Sequence, residues 1–285
     1  MTAQQTIKSI FNTTYRCYRY GLFISASLLI AACSQNNDET QLSDIGVEFW
    51  YQQQAVSCEQ SFELQGTDWH LQNIALFISD IKLSANSQDS SLGLRQNDWQ
   101  NSGVALLRLT QTNCPDLQTD SAGDQRSATS TLPFASLVFD KPVQLHEDTQ
   151  LSFTLGLPFS LNHLEPLSQP APLNQPFMFW SWRGGHKFLR LDMQSEHQAW
   201  NFHLGSTGCS AASAMNSPQQ ECLHPNRLQF SLTKQQHGKR LIVHLDKLLA
   251  GLELSTQSSC LMQVDNPNCS QLMANLASNG VFEWR

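Results

Sequence analysis

Positive charge is scarce in this chain, with 17 Lys and Arg against 24 Asp and Glu over 285 residues. A nucleic-acid partner needs a clustered basic footprint, so that class is excluded. Closely spaced metal motifs are also missing, because the eight cysteines form no C-x-x-C pair and the nine histidines form neither H-x-H nor H-E-x-x-H. Zinc-ribbon and zincin chemistry therefore lack their ligands. The G-x-S-x-G elbow of the α/β-hydrolases is absent. So is any long apolar pattern of period 3.6, which argues against a helical protein.

The longest apolar run, Gly21 to Ala32, follows Lys8, Arg16 and Arg19 with no acidic residue among them. A positive flank and a run too short to span a bilayer describe a signal peptide. It ends in Ile30-Ala31-Ala32-Cys33, which looks like a lipobox. Cys33 is the expected lipidation site and new N-terminus, and Ser34, not being Asp, favours the outer membrane. The expected protein is thus an outer-membrane lipoprotein facing the periplasm or the cell surface, held to the membrane by its lipid anchor. Residues 34–45 read as a flexible tether and 46–285 as a single domain. Removing residues 1–33 takes away three cations and no anion, so the mature chain carries 14 minus 24, or −10.

Export places the remaining six cysteines in an oxidising compartment, where an even number reads as three disulfides. Cys209 with Cys222 and Cys260 with Cys269 each close a short loop rich in Ser, Asn, Gln and Pro, which leaves Cys58 with Cys114. The apolar period is two: Val47, Phe49 and Tyr51; Ile74, Leu76 and Ile78; Leu151, Phe153, Leu155 and Leu157; Leu241, Val243 and Leu245. Polar or Pro-bearing stretches at 84–98, 116–130 and 157–176 separate these runs, and only 246–252 and 271–277 suggest short helices. The fold expected is all-β, an antiparallel β-sandwich with long loops and disulfides.

Unusual residues concentrate between Pro158 and Cys222. They include Leu161-Asn162-His163, then Met178-Phe179-Trp180-Ser181-Trp182-Arg183-Gly184-Gly185-His186, and then His203-Leu204-Gly205-Ser206-Thr207-Gly208-Cys209. Strand alternation would put Trp180 and Trp182 on one face with Met178 beside them, ending in a Gly184-Gly185 turn. Arg183 and Asp192 read as a solvated edge ion pair, and Asn162 either orients His163 or closes its turn. By spacing alone the metal signal here is weak, since a Trp-x-Trp strand is more often core than chemistry.

At these residues the chain resembles the MbnP-like proteins, the four-cysteine members of metallo-mystery pair systems. The motifs are Leu157-Pro158 with Leu161-Asn162-His163, Met178 to Trp182, Lys187 to Asp192, and His203 to Cys209, in order across most of the mature chain. Cys209, Cys222, Cys260 and Cys269 match the four-cysteine label. The resemblance implies a non-enzymatic, exported copper-binding protein paired with a dihaem cytochrome c peroxidase-like partner. That partner oxidises a tryptophan to kynurenine, which then helps histidines hold copper. Trp180 and Trp182 become the candidates for modification and His163 and His203 the first ligands. His186 stands where the family pattern carries Tyr and is a candidate third ligand. Imidazole suits either copper oxidation state.

Two other classes differ from this one in what they require. A structural or ligand-binding outer-membrane lipoprotein would hold no metal and keep every tryptophan intact. A hydrolase would need Ser181 with His163 or His186 and Asp192 assembled as a triad.

Overall fold

The computed structural model describes residues 40–57, 59–85, 88–109, 136–262, 266–278 and 280–285. Cys33 and the Cys58–Cys114 pairing lie outside them. In chain order the first strands are β1 (Thr40–Tyr51), β2 (Gln54–Ala55), β3 (Ser61–Leu64), β4 (Thr67–Ala85), β5 (Gln88–Ser91) and β6 (Val104–Arg108). After the undescribed 110–135 come β7 (Ser136–Leu145), β8 (Gln150–Leu155), β9 (Phe179–Ser181), β10 (Gly185–Gln194) and β11 (Ala199–Gly205). The last are β12 (Leu228–Thr233), β13 (Arg240–His244) and β14 (Phe282–Trp284). Among the described residues the α-helices are α1 (Phe159–Asn162), α2 (Leu245–Leu248) and α3 (Pro267–Ala277).

The strands form two sheets, one of order β14-β13-β1-β2 with β7 on β1, the other of order β11-β10-β4-β8-β12 with β3, β5, β6 and β9 attached. The all-β sandwich expected from the period of two is therefore the observed fold. Pairing is antiparallel except between β1 and β13, which run parallel because the chain returns to the first sheet only after building the second. Residues 40–45, assigned to the tether on polarity, instead form the first part of β1, where Leu42 and Ile45 are buried.

Alternation places Ile74, Leu76 and Ile78 of β4, Leu189 and Leu191 of β10 and Phe202 and Leu204 of β11 in the core, all with no exposure. Phe282 of the first sheet meets Phe153 of the second edge-on at 5.3 Å between ring centres, which ties the layers together. Within β4 the buried parity shifts from even to odd, to Ile81 and Leu83, across a bulge at Asp80 with φ +53°. A slipped register there restores burial on the correct face.

The helices are shorter or longer than the sequence suggests. Leu245, read as strand, begins α2, and the expected 246–252 helix stops at Leu248. The α3 helix starts at Pro267, four residues before the expected 271, because Asn266 caps it and Pro suits its first position.

Candidate functional site

The outer face of β4, β10 and β11 carries polar side chains where the inner face carries core. Register puts His203, Arg190 and Ala75 side by side, and Asn201, Asp192 and Asn73 on the next rung of the same face. One end of this face lies under the connection that runs from β8 through α1 to β9, and that connection delivers Asn162 and His163.

Asn162 is fully buried and acts as a clasp. Its Oδ1 accepts from the His186 backbone N–H at 2.9 Å, and its Nδ2 reaches Ser206 Oγ and His163 Nε2, both at 3.2 Å. Gly185, at φ +74°, makes this approach possible, since a Cβ there would sit 2.6 Å from Asn162 Oδ1. His163 Nδ1 lies 3.1 Å from the carbonyl oxygen of Trp182. With Asn162 donating to Nε2, the proton belongs on Nδ1, which donates to Trp182, and the lone pair belongs on Nε2. Burial pushes the His163 pKa down, so the ring is neutral.

His186 is placed differently from a metal ligand. It has no exposure, and its Nδ1 and Nε2 face the carbonyl oxygens of Asn162 at 2.7 Å and Leu173 at 3.1 Å. Burial lowers its pKa, and its ring packs edge-on to Phe77 and Phe179. Each ring nitrogen faces a backbone carbonyl inside the core, and the neutral ring donates to one of them, so His186 serves the packing of the site rather than presenting a lone pair to an accessible ion.

His203 belongs to a second cluster. Its Nε2 is 2.6 Å from Asp192 Oδ1, while Arg190 Nε donates to Asp192 Oδ2 at 2.6 Å. Burial alone would raise the Asp192 carboxyl, but the His203 hydrogen bond and the Arg190 charge outweigh it and hold the group below the usual carboxylate range. An ionised Asp192 requires the His203 proton on Nε2, leaving Nδ1 as the nitrogen with a lone pair. The partner of Asp192 is thus Arg190, not the expected Arg183, which is exposed and whose backbone N–H reaches the Ala214 carbonyl. Arg190 carries no sequence signal of this role beyond its i, i+2 spacing from Asp192 on one strand face.

The Trp-x-Trp segment departs from the expected strand. Met178 ends a 3₁₀ turn that begins at Pro176, β9 stops at Ser181, and Trp182 already lies in the turn. Ser181 Oγ accepts from the Gly184 N–H at 3.0 Å, which closes the chain before a longer ladder can form. The two indoles therefore do not share a strand face. Trp180 packs on β11, since a Cβ at Gly205 would come within 2.5 Å of its Cζ3, and Trp182 meets Phe179 edge-on at 6.0 Å. Both are half-buried, whereas Trp69 and Trp200 are sealed in the core. The hydrolase arrangement is not assembled: Ser181 is engaged by the turn and Asp192 by His203 and Arg190.

Both local disulfides are present as expected, Cys209–Cys222 and Cys260–Cys269. His163 Nε2 lies 3.6 Å from Cys222 Sγ. Among the described residues, the one grouping of three potential metal ligands is His163, Cys209 and Cys222, with ligand atoms within 4.8 Å of one another. Its two sulfurs are joined to each other, so in the oxidised protein they offer no thiolate. Among the described residues, no such grouping combines His163 with His203. Spacing gave no hint that the bridge would pack on His163, because the contact joins residues 59 positions apart.

A disulfide-braced β-sandwich with a half-buried aromatic segment between two histidine clusters is the class that fold and site define. A sequence model of the MbnP family matches residues 40–263, and the chain belongs to that family. Its structure is similar to that of MbnP from Methylosinus trichosporium, with a TM-score of 0.69 at 19% identity, covering 86% of this chain and 98% of that one. No curated protein matches it.

Proposed function

We propose that this protein is an exported, non-catalytic copper-binding lipoprotein of the outer membrane. In this reading His163 and His203 supply imidazole ligands, and Trp180 or Trp182 is converted to kynurenine by a dihaem cytochrome c peroxidase-like partner. One observation carries the reading: the Trp180 to Trp182 segment touches both histidine elements. Trp182 accepts from His163 Nδ1, and Trp180 rests on Gly205, two residues beyond His203.

The donor chemistry fits copper. His163 holds a neutral lone pair on Nε2, and His203 is braced by Asp192 in the carboxylate–histidine arrangement that orients metal ligands. Opening an indole to kynurenine creates an aromatic amine and a ketone, a new donor beside these rings. Half-burial of Trp180 and Trp182, against the sealed Trp69 and Trp200, supports the choice of these two indoles as the ones a docked haem protein would oxidise.

The test is tandem mass spectrometry of the peptide from Pro176 to Arg183 after the protein is made with and without its dihaem partner. Conversion of Trp180 or Trp182 only with the partner supports the reading. Modification of Trp69 or Trp200 instead would move the site. Every tryptophan unchanged beside a competent partner would sink the oxidation and favour a metal-free binding lipoprotein.

A further inference from the structure

The Cys209–Cys222 bridge is placed unlike the other disulfide. Cys260–Cys269 ties the residues before α3 to its first turn, and Cys260 has no exposure. Cys222 instead has a histidine lone pair beside its sulfur. The side chain of Asn162 and the carbonyl of Trp182 fix the His163 ring so that Nε2, and not an N–H, faces the bridge at 3.6 Å. The Nε2 lone pair accepts from Asn162 Nδ2 at 3.2 Å and lies beside the bridge, so one nitrogen and two sulfurs stand together as a donor set for a soft ion. Cys209 is half-buried and follows the exposed Gly208, so one sulfur of the bridge is open to attack while the other stays beside His163.

We infer that His163, Cys209 and Cys222 form a redox-gated site for a monovalent soft cation, Cu(I), closed while the bridge is oxidised and opened by a dithiol reductant. A thiolate of the reductant attacks Cys209 Sγ and the S–S bond breaks. The Cys222 sulfur leaves as a thiolate beside His163 Nε2 and takes up a proton. The reductant's second thiol then attacks the mixed disulfide and releases the Cys209 thiolate, which is protonated in turn. The dithiol is oxidised to its disulfide by two electrons and the protein bridge is reduced by the same two. Cu(I) binding then displaces the two thiol protons, and His163 Nε2 exchanges the Asn162 hydrogen bond for the ion and supplies the third donor with no change of tautomer. The site shares His163 with the copper reading above and does not use His203.

The test uses the full mature protein, reduced with immobilised dithiothreitol and titrated anaerobically with Cu(I) against a chromophoric competitor. The reduced wild type is expected to bind one equivalent of Cu(I) with a gain in thiolate-to-copper charge-transfer absorbance over the oxidised protein. His203→Ala should keep this gain, which separates it from the histidine site proposed above. The Cys209→Ser/Cys222→Ser variant should lose it, and Cys260→Ser/Cys269→Ser should retain it. Should the variants fold poorly, alkylation mapped by peptide gives a second readout on the wild type and His163→Ala. Cu(I) is expected to slow alkylation of Cys209 and Cys222 by about tenfold or more in the wild type and to protect them far less in His163→Ala. The inference is overturned if reduced wild type shows no charge-transfer band, or if the band follows Cys260 and Cys269. Equal Cu(I) protection in His163→Ala would overturn it as well.

Discussion

Replacing Asn162 with Ala removes the acceptor of the His186 backbone N–H and the donor to both Ser206 Oγ and His163 Nε2. The site is sealed, so water does not take over the 2.9 Å bond to His186. An orphaned buried donor costs about 1–3 kcal/mol, and each lost neutral hydrogen bond adds about 1. Ser206 keeps its bond to the Pro225 carbonyl, which limits the loss on that side. The sum is a destabilisation of about 2–4 kcal/mol. With a urea slope of about 2–3 kcal/mol per molar for a domain of this size, the midpoint should fall by about 0.7 to 2 M. Urea denaturation followed by tryptophan fluorescence measures it. Asn162→Asp, which keeps the acceptor for His186, should recover part of the loss. A midpoint for Asn162→Ala within about 0.2 M of the parent would refute the clasp.

Acid should weaken the fold in two stages. The folded-state pKa values of His163 and His186 are held below 6.5 by burial, so the unfolded chain takes up those protons first. Their contribution is present above pH 6.5 and declines as pH falls below it. Asp192, held below 3.8, adds stability that is lost only as pH falls through that lower range, and Asp192→Asn should shrink the second stage, to which the likewise lowered Glu283 also contributes, in a pH series of thermal melts. Gly205→Val should displace the Trp180 indole, since even a Cβ would lie 2.5 Å from Cζ3, and the shift should appear as redder, more quenchable tryptophan emission; unchanged emission would place the ring elsewhere. Losing the Cys260–Cys269 bridge should cost about 2–4 kcal/mol by freeing the unfolded chain, read as a lower urea midpoint of Cys260→Ser/Cys269→Ser.

The sandwich was legible because its core obeys strand alternation, as Val47, Phe49, Ile74, Leu76 and Leu241 show. Where alternation failed as a guide, a local hydrogen bond or a bulge had overruled it. Ser181 closes a turn on Gly184 and so ends the Trp-x-Trp strand early, and Asp80 shifts the parity of β4. The two disulfides were legible because short loops bring their ends together cheaply. The site was legible as a set of motifs and not as an assembly. Which ring nitrogen faces what depends on long-range contacts, Asn162 to His186 and Cys222 to His163 among them, and no spacing encodes those. His186 shows the difference most plainly: an unusual histidine in a motif drew attention, and burial between two carbonyls accounts for it.

Copper binding by the oxidised protein tests the central claim most directly, with wild type, His163→Ala and His203→Ala titrated under identical conditions. The wild type is expected to bind about one copper per chain, and each variant to bind at least about tenfold more weakly, a loss of about 1.4 kcal/mol or more, with the far-UV spectrum unchanged. Equal affinity in all three proteins would mean that neither histidine holds the metal and would contradict the account.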